Sequence, residues 1–256
     1  MKEFLVKKCK AYMRYHDFNG EGIPILFIHG LGCAGSFEYP EVIGTSHLKH
    51  RRCILPDLLG AGYSDKPVDF EYTVTAHAEY LKDFITELGI KKLIIFGHSL
   101  GGAVAIELAS LCGSLAAQLI LSESNLDASK KGAVSYSIAR YSEKDFISGG
   151  FEKLIHKSKS AGNTLWAASL SHWLPLAAYR LSKHAAAGGT PSWRTVLYDL
   201  QIPKSFIFGE YSLPDDNYAV LKEKGFHMET VERAGHSMAW ENPAGLAAAI
   251  AACITV

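Results

Sequence analysis

Two segments far apart in the chain carry side chains that together could perform nucleophilic catalysis. Residues 97–101 (GHSLG) place Ser99 between two glycines, after an apolar run and before a helical-looking stretch. Strand, glycine-flanked serine and helix in this order predict a nucleophile elbow, a strained turn that exposes the serine hydroxyl. His236 lies on a predicted loop late in the chain, after a strand-like stretch over residues 228–232. A general base is expected at such a place.

Acyl transfer also needs N–H donors for the oxygen of the tetrahedral intermediate. The apolar run over residues 25–28 leads into a glycine-rich turn that contains Leu31, whose backbone N–H is one candidate. The second candidate is the N–H of Leu100, at the positive end of the helix that follows Ser99. We therefore expect Leu31 and Leu100 to form an oxyanion hole.

Four motifs in a fixed order resemble those of the α/β-hydrolase fold superfamily. They are His29-Gly30, residues 56–67 (PDLLGAGYSDKP), residues 97–101, and Gly235-His236 before Asn242-Pro243. The resemblance covers nearly the whole chain and implies the serine-nucleophile branch with a helical cap. A serine at the elbow excludes the usual haloalkane dehalogenase and epoxide hydrolase routes, which need an aspartate there.

The third member of a catalytic triad departs from the common pattern of the family. In many members an aspartate stands a few residues after the strand that follows the cap, but here Ser212 occupies that place. Other members place the acid at the end of the strand before the cap, which implies Glu123. We prefer Glu123, with Asp215 or Asp216 as the alternative acid.

Alternating strand and helix patterns predict an α/β fold with a mostly parallel central sheet and helices on both faces. Between residues 125 and 195 the helical stretches occur without strands, so we expect a helical cap inserted into a core of residues 1–124 and 196–256. Asn19-Gly20 between two strand-like stretches, residues 9–15 and 23–28, is a signal for a β-hairpin.

Four residues are candidates for substrate binding. His29 and Gly30 border the predicted oxyanion turn, and Trp166 and Trp173 belong to the cap, which covers the nucleophile in this family. The histidines of the cap lack the spacing of a metal site, so no metal or cofactor is expected.

Composition favours a single domain whose partner is a small molecule. Basic and acidic residues are equal in number, 26 each, which gives no sign of nucleic-acid binding. Five scattered cysteines suggest reduced thiols, and residues 1–8 lack the apolar region of a signal peptide. We therefore expect a cytoplasmic protein without a membrane span.

These features predict a serine hydrolase that acts on a small acyl substrate through an acyl-enzyme, most plausibly a carboxylic ester. Thioesters, lactones, amides and a carbon-carbon bond next to a carbonyl satisfy the same chemistry. A ligand-binding receptor or signalling protein with slow or vestigial hydrolysis is the alternative, kept open by Ser212.

Overall fold

The central sheet begins as an antiparallel pair and continues as a parallel array. A computed structural model describes residues 1–255, in which eight strands form one sheet in the order β1-β2-β4-β3-β5-β6-β7-β8. The strands are β1 (Lys2–Val6), β2 (Ala11–Phe18), β3 (Glu21–Ile28), β4 (Arg51–Pro56), β5 (Leu93–His98), β6 (Ala116–Ser122), β7 (Lys204–Gly209) and β8 (His227–Val231). β2 is antiparallel to both of its neighbours, and every pairing from β4 to β8 is parallel.

Helices cover both faces of the sheet because the central strands are apolar on both sides. Alternate residues of a strand point to opposite faces. Accordingly Leu26 and Ile95 belong to one apolar core, whereas Phe27, Ile94 and Phe96 belong to the other. This arrangement confirms the predicted α/β fold class.

The helices that cover the sheet follow the strands along the chain. They are α1 (Gly35–Glu38), α2 (Pro40–Ile43), α3 (Val74–Glu87), α4 (Leu100–Cys112), α5 (Val134–Ala139), α6 (Glu143–Asp145), α7 (Phe151–Ser160), α8 (Thr164–Leu170), α9 (Pro175–Ala187), α10 (Trp193–Asp199), α11 (Asp216–Glu223), α12 (Met238–Glu241) and α13 (Pro243–Cys253). None of the helices in residues 1–255 is both long enough and apolar enough to span a bilayer.

β2 and β3 do not form the predicted hairpin. β2 pairs with β4, and β3 lies on the other side of β4. Gly20 sits against the backbone of Arg51 so closely that a Cβ atom would overlap with it. The glycine therefore permits a close backbone approach where β3 begins, and it does not shape a two-residue turn between paired strands.

The segment between β6 and β7 forms helices and loops, all of it within the described residues. α9 packs against α5 and also touches α3 beside the sheet, while α10 packs against α4. A π-helical turn, Phe146–Gly150, joins α6 to α7, so this part of the segment is not one continuous α-helix.

Candidate active site

Ser99 occupies a strained turn between β5 and α4. Its backbone has φ 53° and ψ −125°, a conformation that costs a non-glycine residue about 1–3 kcal/mol. A Cβ atom at position 97 would lie 2.5 Å from Cβ of Ala105, and one at position 101 would overlap with the carbonyl oxygen of His29. Both glycines are therefore needed for the geometry of a nucleophile elbow.

His236 lies in the loop between β8 and α12, directly over this turn. The hydroxyl of Ser99 is in hydrogen-bond contact with His236, with 3.0 Å between Oγ and Nε2. The imidazole is 57% exposed, so one side of the site is open to solvent. The distance suits proton transfer from the serine hydroxyl to the ring.

Glu123 follows β6 and faces the other nitrogen of the same ring. Its Oε2 lies 3.7 Å from Nδ1 of His236, longer than a direct hydrogen bond, as is common in sites without substrate. Its Oε1 accepts a hydrogen bond from the N–H of Gly209 at 2.8 Å. Like Ser99, Glu123 has a positive φ, of 47°.

Electrostatics keep Glu123 ionised. Burial alone would raise the pKa of this carboxyl, which is 11% exposed, but His236 and the N–H of Gly209 outweigh burial and hold its pKa below the ordinary value. The hydroxyl of Ser212 adds a smaller lowering of the same pKa. Ser212, at the position where many members of the family have the acid, thus helps to keep the carboxylate of Glu123 ionised.

Asp215 and Asp216 lie at the start of α11. Oδ1 of Asp215 accepts hydrogen bonds from the backbone N–H and the side-chain amide of Asn217, at 2.7 and 2.9 Å, and so caps this helix. Asp216 is the first residue of the helix. Within residues 1–255 neither carboxylate forms an ion pair or hydrogen bond with His236, so the structure brings only Glu123 of the three acids to the imidazole.

Leu31 and Leu100, the expected oxyanion-hole residues, border the same cavity as Ser99. Leu100 is the first residue of α4, so its N–H has no partner within the helix. The indole N–H of Trp166 donates to the carbonyl oxygen of Leu31 at 2.9 Å. This bond fixes the peptide chain of the oxyanion turn to α8.

The cavity at Ser99 has a volume of about 510 Å³. Its walls are made mainly of small and polar residues, and its lining consists of Leu31, Ser99, Leu100, Glu123, Ser124, Asn125, Gly132, Ala133, Val134, Ser135, Ser158, Asn163, Trp166, His236 and Ser237. Apart from Glu123 and His236, this lining contains no ionisable side chain among the described residues. The cavity therefore suits a small, uncharged group.

Of the four candidate substrate-binding residues, three lie outside this lining: His29, Gly30 and Trp173. His29 is 1% exposed, donates to the carbonyl of Gly30 at 2.9 Å and accepts from the N–H of Leu58 at 3.0 Å. Trp173 is buried and donates to the carbonyl of Cys33 at 2.8 Å. Both residues anchor backbone behind the site because their polar atoms are used there.

Gly30 and Trp166 lie beside the nucleophile. A Cβ atom at position 30 would be 3.0 Å from Cβ of Ser99, so this glycine gives the serine room, although it is outside the cavity lining. Trp166 forms part of the lining itself. Of the two tryptophans expected at the substrate, the structure thus places Trp166 at the cavity and Trp173 behind it.

A buried group next to the site was missed from the sequence. Glu38 pairs with His98, with 3.1 Å between Oε1 and Nδ1, and Cys33 brings its sulfur into the same cluster. The three ligand-type atoms lie within 4.8 Å of one another. Burial raises the pKa of the Cys33 thiol far above its ordinary value, which leaves Glu38 and His98 to pair with each other. No sequence signal links position 38 to position 98.

Comparison with known proteins matches this architecture. A family model described as alpha/beta hydrolase fold matches residues 23–139. A 2-hydroxymuconate semialdehyde hydrolase of Pseudomonas putida is 40% identical over 97 residues, which are 37% of this chain and 33% of that protein. The matches to the curated relatives thus span about a third of those proteins' length.

Solved structures match the chain over nearly its whole length. An esterase of Exiguobacterium antarcticum has a TM-score of 0.80 at 17% identity and covers 98% of this chain and 97% of its own. An N-acyl homoserine lactonase in complex with N-hexanoyl homoserine lactone has a TM-score of 0.77 at 20% identity, with coverage of 100% and 98%. Together with the family model over residues 23–139 and the eight-stranded sheet, these likenesses show that the chain has the α/β-hydrolase fold.

Proposed function

We propose that this protein is a serine hydrolase that cleaves a small, uncharged carboxylic ester. The observation that carries the proposal is the 3.0 Å contact between Ser99 Oγ, on a strained elbow, and His236 Nε2. The matched relatives include hydrolases, which supports hydrolytic chemistry on this fold. Residues 125–195 would act as a cap, since Asn163 and Trp166 of this segment line the cavity.

The first half of the proposed reaction forms an acyl-enzyme. Ser99 Oγ attacks the carbonyl carbon of the ester while its proton passes to Nε2 of His236. The N–H groups of Leu31 and Leu100 bind the oxyanion that develops on the carbonyl oxygen. Collapse of the intermediate breaks the bond to the alcohol oxygen, which takes the proton from His236.

Water completes the reaction in the second half. His236 accepts a proton from the water as its oxygen attacks the acyl carbon, and the same proton returns to Ser99 Oγ when the acid leaves. Glu123 orients the ring through Nδ1 and offsets the positive charge that His236 carries in both halves. No other reactant is consumed.

Size and polarity of the cavity indicate the substrate class. A volume of about 510 Å³ fits a compact molecule, and the side chains of Asn125, Asn163 and Ser237 place amide and hydroxyl groups around it. The likeness to a lactonase adds cyclic esters to the candidates. We therefore expect short neutral esters and lactones to be cleaved better than long-chain or carboxylate-bearing ones.

The test combines covalent labelling with turnover of a small ester panel. A fluorophosphonate should label Ser99, and Ser99→Ala should lower turnover by roughly 10⁴- to 10⁶-fold. Ser110→Ala, which changes an exposed serine on α4, is the matched control and should retain both labelling and turnover. Labelling at another serine, or ligand binding by the wild type without any turnover, would contradict the proposal and favour a receptor.

A further inference from the structure

We propose that the buried pair of Glu38 and His98 positions the general base: it fixes the loop that carries His236, and the turnover number depends on it. The proposal rests on the hydrolase function proposed above. It concerns two residues that touch neither the substrate cavity nor the hydroxyl of Ser99.

His98 joins the strand of the nucleophile to the loop of the base. It is the last residue of β5 and immediately precedes Ser99. Its Nε2 donates a hydrogen bond to the main-chain carbonyl oxygen of His236 at 2.8 Å, and the two imidazole rings lie 5.0 Å apart. The end of β5 thus positions both the nucleophile, which follows His98 directly, and the loop of the base, which His98 binds.

Glu38 completes this connection from the other side. Its Oε1 lies 3.1 Å from Nδ1 of His98, and the two side chains are 1% and 6% exposed. An imidazole can donate from both nitrogens only when it is protonated. The carboxylate of Glu38 forms an ion pair with His98 rather than a hydrogen bond of good geometry, and its charge favours the protonated ring, which has an N–H at Nε2 for the carbonyl of His236.

The charges in the cluster agree with this assignment. Burial by itself lowers the pKa of His98, but the carboxylate of Glu38 outweighs burial and raises it above the ordinary value. Burial by itself raises the pKa of Glu38, but His98 outweighs burial and lowers it. The other ionisable groups that face the pair are His29, Cys33, Tyr39, Glu123 and His236.

The loop of His236 needs such an anchor because its side chain is largely in solvent. The imidazole is 57% exposed, and a second bond holds the loop where the N–H of Gly235 donates to Glu241 at 2.8 Å. A displacement of about 1 Å in a reacting group can reduce catalysis by about 10²-fold. Loss of the bond from His98 should therefore lower the turnover number and leave substrate affinity nearly unchanged.

The experiment compares His98→Leu, His98→Gln and the wild type on a short neutral ester. Active sites are counted by stoichiometric fluorophosphonate labelling, so that kcat refers to folded, competent molecules. We expect His98→Leu to lower kcat by about 10- to 100-fold with KM within about twofold. His98→Gln retains an N–H donor for the carbonyl of His236 and should recover most of the loss.

His77→Leu is the matched control. His77 is also a buried histidine with a side-chain hydrogen bond, from Nδ1 to the hydroxyl of Tyr80 at 2.9 Å, but it lies on α3, away from His236. This variant should lower the melting temperature and leave kcat per active site unchanged. If the role of His98 were purely structural, His98→Leu would likewise lower the melting temperature and leave kcat per active site unchanged.

A double variant tests whether Glu38 acts through His98. Glu38→Gln combined with His98→Leu should cost no more in kcat than His98→Leu alone. An additive loss overturns the role of Glu38, and an unchanged kcat in His98→Leu overturns the role of His98. If the wild type has no esterase activity at all, the proposed function fails, and this proposal, which rests on it, fails too. If the wild type is active but kcat is unchanged in His98→Leu, only this proposal fails.

Discussion

Glu123 faces the imidazole of His236 with one carboxylate oxygen and binds the main chain at the end of β7 with the other. Oε2 lies 3.7 Å from Nδ1 of His236, while Oε1 accepts the N–H of Gly209 at 2.8 Å. The second bond fixes the carboxylate in place, so a small movement of the imidazole is enough to close the longer distance. The carboxylate of Glu123 is therefore already oriented towards the ring.

The first prediction concerns the identity of this acid. Glu123→Gln should keep the fold but lower kcat by about 10⁴-fold, because an amide neither selects the correct tautomer of His236 nor offsets its charge. Asp215→Asn is the matched control, since that residue caps α11 and does not contact His236. Steady-state kinetics decide the point: an active Glu123→Gln variant together with a silent Asp215→Asn or Asp216→Asn variant would reassign the acid.

A second prediction concerns the strain at Ser99. Its φ of 53° is allowed for glycine and unfavourable for alanine. Ser99→Gly and Ser99→Ala should both be inactive, but the glycine variant should be more stable by about 1 kcal/mol. Urea unfolding followed by circular dichroism measures the difference. Equal midpoints for the two variants would mean that the elbow carries no strain.

The third prediction concerns Trp166 and the oxyanion turn. Trp166→Phe keeps an aromatic ring but removes the indole donor that holds the carbonyl of Leu31. We expect kcat to fall by about tenfold, because the turn is then held less firmly and the N–H of Leu31 loses its fixed direction. Trp173→Phe removes a similar bond to Cys33 outside the cavity lining and serves as the control. Equal kcat losses in the two variants would show that the effect is not specific to the oxyanion turn.

The fourth prediction concerns stability against pH. The pKa of His98 is raised in the folded state, so its contribution to the free energy of unfolding is fully present below the unfolded pKa of about 6.5. That contribution is lost as the pH rises through the raised pKa. Glu38, with a lowered pKa, contributes above its unfolded value and loses its share as the pH falls through the lowered one.

His98→Gln should therefore flatten the alkaline side of the stability profile. Chemical unfolding of both proteins between pH 6 and 9 should give a difference in free energy of unfolding, wild type minus variant, that falls as the pH rises, because the other histidines contribute equally to both. Cys53, whose pKa burial raises to about 12, begins to lose its contribution near the top of this range, but it does so equally in both proteins. Parallel profiles for the two proteins would contradict a protonated His98 in the folded state.

The fifth prediction concerns substrate charge. Basic residues outnumber acidic ones between residues 125 and 195, which raises the expectation that anionic substrates are steered to the site. In the structure Arg194 pairs with Asp127, Arg180 pairs with Glu143, and the cavity lining in the described chain contains no lysine or arginine. We expect kcat/KM for neutral and anionic esters to respond equally to salt. A fall of kcat/KM with rising salt that is confined to the anionic ester would show instead that the basic residues steer anionic substrates.

Local sequence patterns predict most of the elements and the two central residues of the site. The strand-like stretches over residues 23–28 and 228–232 fall largely within β3 and β8. Ser99 and His236 were found from motifs that describe local geometry, a turn and a loop after a strand. The two residues meet in space because the carboxyl ends of parallel strands share one edge of the sheet.

Contacts without a local pattern could not be predicted. The Asn19-Gly20 signal describes a turn but does not specify that β4 lies between β2 and β3. Glu38 resembles any glutamate near a helix end, and only the folded chain shows that it is buried against His98. The functions of Trp166 and Trp173 likewise depend on which carbonyl each indole reaches.

The bond from His98 to the main chain of His236 has a consequence for biosynthesis. Its two partners are 138 residues apart in sequence, and β7 and β8 follow β5 and β6 along the chain. While the ribosome has made the chain only through β6, Ser99 has neither its base nor the loop that holds it. Under the proposed function, the nascent chain would therefore lack its general base until translation has passed His236.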